Sequence, residues 1–220
     1  MGLFGYIILI AIGLGIIILM LFRVGSRRRE LPCPVWLSWM VEMDNPFTKT
    51  NRAQTIIERL RLESGMTILD AGCGPGRLTI PVAKRVGGQG LVVAMDIQDG
   101  MLARVREKAR AENLSNIEFL EAGLGRGALV GNRFDRALLV TVLGEIPDMA
   151  GAVKEVFDAL KPGGMLSITE VVFDPHFQRR GTVSRLTAEA GFLPEQTFGN
   201  AVSFTMNVRK PRSEDARDRK

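Results

Sequence analysis

Short apolar runs alternate along most of this chain with stretches whose apolar residues recur at helical spacing. The runs are Thr67–Ala71, Leu91–Asp96, Ile117–Glu121, Phe134–Thr141 and Met165–Val172. Strands separated by helices predict an α/β domain built on a parallel sheet. Leu91–Met95 and Ala137–Thr141 are apolar throughout rather than at every second residue, as strands are when helices cover both faces of a sheet. A helical stretch from Thr48 to Leu62 precedes the first strand. Leu160-Lys161-Pro162-Gly163-Gly164 reads as a helix stop before the fifth. Farther on, Phe192–Phe198 and Ala201–Val208 flank Gly199-Asn200, a two-residue hairpin signal, so the final strand is expected antiparallel, at or near the sheet edge. From Arg209 to Lys220 the chain is nearly all charged or turn-forming, which predicts a disordered tail.

The N-terminal pattern is different. Leu3 to Phe22 is an unbroken uncharged run rich in Ile and Leu, and at 1.5 Å per residue about 20 residues match the roughly 30 Å core of a bilayer. No basic region precedes the run and no small-x-small cleavage site follows it, which favours a transmembrane anchor over a cleaved signal. Arg23, Arg27, Arg28 and Arg29 follow directly, so the positive-inside rule places everything downstream in the cytoplasm. Ala11 and Gly15 form a small-xxx-small pair that offers a packing face for a homo-oligomer. Past the anchor, Pro32 and Pro34 interrupt any helix. Trp36, Trp39, Met40 and Met43 then make one apolar stripe, either lying in the membrane interface or packed on the domain. The expected organisation is an anchor over 1–23, a basic and amphipathic linker over 24–47, one catalytic domain over 48–210 and a tail over 211–220.

Composition narrows the function. A length of 220 residues less an anchor and a tail fits a single α/β domain. The net charge of +5 is served by the arginines beside the span, each contributing about 1 kcal/mol of attraction to anionic lipid, and no aromatic-interleaved basic surface suggests a nucleic-acid partner. Cys33 and Cys73 are far apart and His176 is the sole histidine, which indicates a reducing compartment and no protein-bound metal.

The chemistry concentrates after the first strand. Ile68-Leu69-Asp70 runs into Ala71-Gly72-Cys73-Gly74-Pro75-Gly76 and then a helix, a turn whose glycines let backbone approach a nucleotide-like ligand. Asp96 ends the second strand, where a carboxylate can accept hydrogen bonds from both hydroxyls of a ribose. A dinucleotide fingerprint would require glycine at position 77, which is Arg77, and this counts against NAD.

With these motifs, the segment from Thr48 to Pro211 resembles the class I SAM-dependent methyltransferases, Rossmann-like enzymes with a mostly parallel seven-stranded sheet and an antiparallel C-terminal hairpin strand. The small-molecule and quinone methyltransferases are the nearest in character. The resemblance implies S-adenosylmethionine (SAM) as cofactor, with Gly72, Cys73, Gly74 and Gly76 under its methionine and ribose portions. It further implies that Asp70 helps hold the methionine end, Asp96 the ribose, and Ile97 packs on adenine. Gly123, Leu124 and the fourth-strand residue Thr141 complete the cofactor set, and the segment from Phe134 to Asp148 is similar to the strand and loop facing the reacting methyl group. Two positions depart from the family pattern. Its usual Gly-Asp after the third strand is Gly123-Leu124 here, which removes an adenine contact worth about 1–3 kcal/mol if the amine stays unpaired. Gly144-Glu145 stands where relatives often carry His.

Methyl transfer to a positioned acceptor requires alignment and exclusion of water, and a base only when the acceptor is protonated. Candidate acceptor-side residues are Glu145 and Asp44, with Glu170 and His176 beside them. Asp44-Asn45-Pro46-Phe47 is superficially similar to the tetrad of nucleic-acid amino-methyltransferases. It lacks the second proline, and it reads better as a helix start with Asp44 or Asn45 as cap. Anchor and stripe together suggest a membrane-bound enzyme whose partners are the lipid bilayer and a hydrophobic or lipid-like acceptor. A methyltransferase for a membrane protein's side chain and a non-catalytic SAM-binding scaffold are the alternatives.

Overall fold

The computed structural model describes residues 51–212, 214 and 215, together with Tyr6 and Gly13. The anchor run, the Trp/Met stripe and Asp44 therefore lie outside the described residues, except that Tyr6 and Gly13 are each helical. Among the described residues no helix is long and apolar enough to cross a membrane.

The elements follow the order α1 (Ala53–Arg59), β1 (Thr67–Ala71), α2 (Thr79–Val86), β2 (Leu91–Asp96), α3 (Asp99–Ala111), β3 (Ile117–Glu121) and β4 (Phe134–Val140). They continue with α4 (Met149–Ala159), β5 (Leu160–Val171), α5 (Arg180–Ala190), β6 (Leu193–Gly199) and β7 (Ser203–Arg209). One seven-stranded sheet has the order β3-β2-β1-β4-β5-β7-β6. Pairings from β3 through β5 are parallel, and β7 is antiparallel to both β5 and β6.

Successive side chains of the strands point to opposite faces of the sheet and divide the core between them. Leu69, Val93, Met95, Ala137 and Leu139 pack with Val153 and Val156 of α4 and Val183 and Leu186 of α5. On the other face Ile68, Val92 and Leu138 meet Ile56 of α1 and Val82, Ala83 and Val86 of α2, while Ala94 meets Leu102, Val105 and Ala109 of α3. Every residue of β2 after Leu91 is buried, as its unbroken apolar composition requires.

Three expectations are corrected. The helix before β1 ends at Arg59 rather than at Leu62; among the described residues α1 spans Ala53–Arg59, and residues 48–50 lie outside them. Leu160–Gly164 does stop a helix, α4 ending at Ala159, but it is already the beginning of β5, which was expected to start at Met165. Leu160 pairs with Phe134, the register then shifts before Arg136 meets Met165, and Gly163 takes a φ of +80°. The irregularity lets a strand begin at the helix end without breaking the ladder. The hairpin turn comprises Asn200–Val202 rather than Gly199-Asn200, because Gly199 still pairs with Phe204 and the Asn200 side chain accepts from the amides of Val202 and Ser203. β7 enters the sheet between β5 and β6, so β6 is the edge strand and β7 is buried from Ser203 to Val208.

Candidate functional site

Sheet order places the site. β1 lies between β2 and β4, the point at which successive crossovers diverge to opposite sides, and in open α/β sheets ligands bind beyond the carboxyl ends of strands at such a switch. Ala71 is in register with Met95 of β2 and Leu139 of β4, so Gly72, Asp96 and the residues after Val140 emerge around one opening.

Gly72 and Cys73 both donate their amides to the Met95 carbonyl, at 2.8 and 3.0 Å, which tucks the loop against the end of β2. The Asp96 carboxylate is 8% exposed; its two oxygens accept from the amides of Gly74 and Gln98, each at 2.9 Å. Those bonds leave acceptor capacity on both oxygens, since a carboxylate offers about four lone-pair sites. Burial raises the pKa of Asp96 from its ordinary value, and the backbone donors oppose that rise. Ile97, the next residue, holds an apolar side chain 54% exposed, unusual for isoleucine inside a folded domain and suited to the face of a purine. Gly123 lies beside it, where a Cβ would come 3.4 Å from Ile97 Cγ2 and 3.2 Å from Arg126 Nε. A mouth with a largely buried carboxylate, an exposed isoleucine and a glycine beside it fits an adenosine moiety.

Asp70 is 3% exposed and accepts from the Thr79 hydroxyl at 2.6 Å. Burial pushes its carboxyl up to about 6, against the pull of that bond and of the Arg77 charge. Thr79 was not apparent as a site residue; the signal was a hydroxyl at the first helical position behind a glycine loop. Val142 was missed as well. A Cβ on Gly72 would lie 2.4 Å from Val142 Cγ2, so β4's exit closes directly over the loop. Thr141, just before it, has a φ of +54°, a rare conformation for a β-branched residue, and is fixed by its amide donating to Thr169.

Other residues of the expected set face the protein. Cys73 belongs to the core beside Ile80 and Val105, so its backbone alone serves the loop. The missing side chain of Gly76 makes room for Val105 of α3, whose two γ-carbons would each stand 3.2 Å from a Cβ at that position. Leu124 packs against the larger core cluster.

On the acceptor side, the turn Leu143–Glu145 follows β4 and the segment after β5 folds over it. A Cβ on Gly144 would collide with the His176 carbonyl. Glu145 Oε1 approaches His176 Nδ1 to 3.8 Å. Glu170, at the end of β5, is 1% exposed; its Oε2 accepts from the Gln178 amide at 2.9 Å and its Oε1 has no partner among the described residues. Burial, with the nearby Asp174 carboxylate adding repulsion, pushes both Glu145 and Glu170 up to about 8. The structure thus brings Glu145, Glu170 and His176 together; Asp44 lies outside the described residues.

Residues 62–202 match the family model described as a methyltransferase domain. Aklanonic acid methyltransferase DauC of a Streptomyces species is 31% identical over 161 residues, covering 69% of this chain and 71% of that protein. Demethylmenaquinone methyltransferase of Listeria welshimeri is 31% identical over 108 residues, covering 49% of this chain but only 46% of that enzyme. A solved SAM-dependent methyltransferase from Aquifex aeolicus shares the fold with a TM-score of 0.70 at 20% identity, covering 81% of this chain and 100% of that one. Motif, topology and these matches agree: the chain belongs to the SAM-dependent methyltransferase domain family.

Proposed function

We propose that this protein is a membrane-anchored methyltransferase that modifies a hydrophobic or lipid-like acceptor at the cytoplasmic face of a membrane. The observation carrying this reading is the uncharged run Leu3–Phe22 with its arginine flank, joined to a methyltransferase domain through residues 24–47. The substrates in the names of two relatives, aklanonic acid and demethylmenaquinone, support an acceptor with a large carbon skeleton.

SAM supplies an activated methyl group on a sulfonium sulfur. Asp96 receives the ribose hydroxyls, Ile97 and Gly123 form the adenine platform, and the Gly72–Gly74 backbone passes beneath the methionine portion, whose end Asp70 helps hold. Val142 closes the loop from the β4 side and excludes water from it. Glu145 faces the acceptor and takes its proton where it has one to lose, while Glu170 and His176 fix the wall behind.

The test is to incubate the purified full chain, in nanodiscs, with methyl-labelled SAM and a total lipid extract, then separate the products. Label in a lipid or quinone fraction is the expected result. Label in membrane proteins alone would replace the acceptor with a protein side chain, and binding of SAM without transfer to either would leave a scaffold.

A further inference from the structure

Exposed apolar side chains are ordinary when they stand singly and informative when they cluster. Among the described residues the large ones are Tyr6, Ile97, Val130, Phe173 and Val202. Two of these stand on adjoining backbone. The Val172 amide donates to the Val202 carbonyl at 2.7 Å, which sets Phe173, 68% exposed, beside the tip of the β6–β7 hairpin, where Val202 is 51% exposed. Ala201, next to Val202 in the turn, is exposed as well. The tip is firmly held. It continues the β5–β7 ladder past the Val171–Ser203 pair, and the Asn200 side chain accepts from the amides of Val202 and Ser203. The Arg180 guanidinium, at the start of α5, donates to the Gly199 carbonyl at 2.8 Å. A lip fixed in this way presents its apolar side chains with little ordering cost when a partner arrives.

Position and charge decide which partner fits. β5 runs parallel to β4, and β4 to β1, so the end of β5 and the start of β7 lie at the same end of the sheet as the glycine loop and Asp96. Arg179, at the cap position of α5, is exposed and has no acidic partner among the described residues. The acid between β5 and α5, Asp174, is half-buried and accepts from the His176 amide. Apolar side chains with an unneutralised cation at their base complement the acyl chains and phosphates of a bilayer surface. The tether brings such a surface close: about 30 residues separate Phe22 from α1, a reach of at most about 100 Å. At that range the local concentration of membrane is high enough for a small contact to hold.

We propose that the Phe173–Val202 lip is a second membrane contact, with both side chains entering the headgroup layer of an anionic bilayer and Arg179 pairing with lipid phosphate, so that the mouth of the cofactor site faces the membrane. This rests on the anchored reading above and adds an orientation to it. An acceptor dissolved in the bilayer then enters the site without exposing its apolar skeleton to water. Val130, just ahead of β4 at the opposite end of the sheet, points to no such surface and serves as the control.

The experiment places a nitroxide spin label at one position at a time, through Phe173→Cys, Val202→Cys or Val130→Cys, in the full chain carrying Cys33→Ser; Cys73 is buried and stays unlabelled. The chains are held in nanodiscs of phosphatidylcholine and phosphatidylglycerol. Relaxation of each label is measured with oxygen, which partitions into lipid, and with a water-soluble nickel chelate. Labels at 173 and 202 should favour oxygen over the chelate severalfold more than the label at 130, and Arg179→Glu should reduce that preference about twofold or more. In the unmutated chain, amide exchange over residues 200–202 should be slower in these discs than in discs of phosphatidylcholine alone.

Equal readings at the three positions in chains that elute with the discs would overturn the lip and leave the anchor standing. Dipolar broadening between labels at 202 would assign the face to a second copy of this chain and overturn it likewise. A preference that survives Arg179→Glu, or amide exchange indifferent to phosphatidylglycerol, would remove lipid phosphate as the partner and with it the proposal. Chains that fail to elute with the discs at all would overturn the anchored reading, and this inference with it.

Discussion

Gly72 and Val142 meet across the switch point of the sheet: a methyl group placed on Gly72 would come 2.4 Å from Val142 Cγ2 and 2.7 Å from Cγ1. The contact joins the cofactor loop to the exit of β4, and neither partner can yield easily. Gly72 holds a φ of +68°, where an L side chain costs about 1–2 kcal/mol, and Val142 follows Thr141, itself at positive φ. Gly72→Ala is therefore expected to lower stability by about 2–4 kcal/mol and SAM affinity at least tenfold. Adding Val142→Ala should recover part of the stability, because it removes the clash but not the backbone strain. Thermal midpoints of the single and double variants, with SAM titrations, check both halves; equal stability of the two variants would show that the contact is not the limiting one.

Asp96 binds the same loop from the other side, through the Gly74 and Gln98 amides. Asp96→Ala leaves both donors near the opening without their acceptor and removes the proposed ribose ligand. The expected outcome is a loss of SAM affinity of at least a hundredfold, since hydrogen bonds to a charged group contribute about 1.5–3 kcal/mol each. Circular dichroism should show the sheet unchanged. Unaltered affinity would mean that the carboxylate serves only to shape the loop.

How much of this was legible beforehand depended on whether one segment held the information. β1 with its glycine turn, and β2 ending in Asp96, are continuous pieces of chain whose apolar runs and small residues state their own conformation, and both lie where the pattern placed them. The wall formed by Glu145, Glu170 and His176 is different. Those residues come from the β4 turn, the end of β5 and the following segment, and only the parallel pairing of β4 with β5 brings them together. Their separate candidacy was readable; their proximity was not. Val142 looked like one more apolar residue at a strand end, because its partner Gly72 is far away along the chain. Leu160–Gly164 did mark the end of a helix, but it hid the start of β5 for a local reason. Proline and glycine punctuate helices, but here they sit in an irregular stretch of strand that pairing with Phe134 stabilises.

Leu124 was expected where the resemblance puts an adenine-binding acid, yet its side chain packs against the core cluster that includes Val153 and Leu139. Restoring the acid does not restore the contact in such a setting. Leu124→Asp is expected to place a carboxylate against apolar neighbours and to cost about 1–3 kcal/mol of stability, with no gain in SAM affinity. A thermal midpoint lowered by several degrees, alongside an unchanged or weaker SAM titration, would agree with the packing. Tighter binding would show that residue 124 turns toward the cofactor when it arrives.

Glu170 sets the clearest pH dependence of the cofactor-free protein. Its carboxyl ordinarily titrates near 4.5 and in the fold is pushed up to about 8, first by burial and then by Asp174 and Glu145. The folded state thus binds a proton more tightly than the unfolded chain. The stabilisation is complete below pH 4.5 and is lost as pH rises toward 8, with Glu145 falling over the same window. Glu170→Gln keeps an oxygen for the Gln178 amide and has no proton to lose. The variant should match the parent near pH 5 and exceed it at pH 8 by a few kcal/mol, since each tenfold difference in proton affinity between fold and unfolded chain is worth about 1.4 kcal/mol at most. Denaturation midpoints from pH 5 to 8 measure this directly. A parent and variant that stay parallel across the range would mean that Glu170 is ionised in the fold and that some positive group reaches its second oxygen.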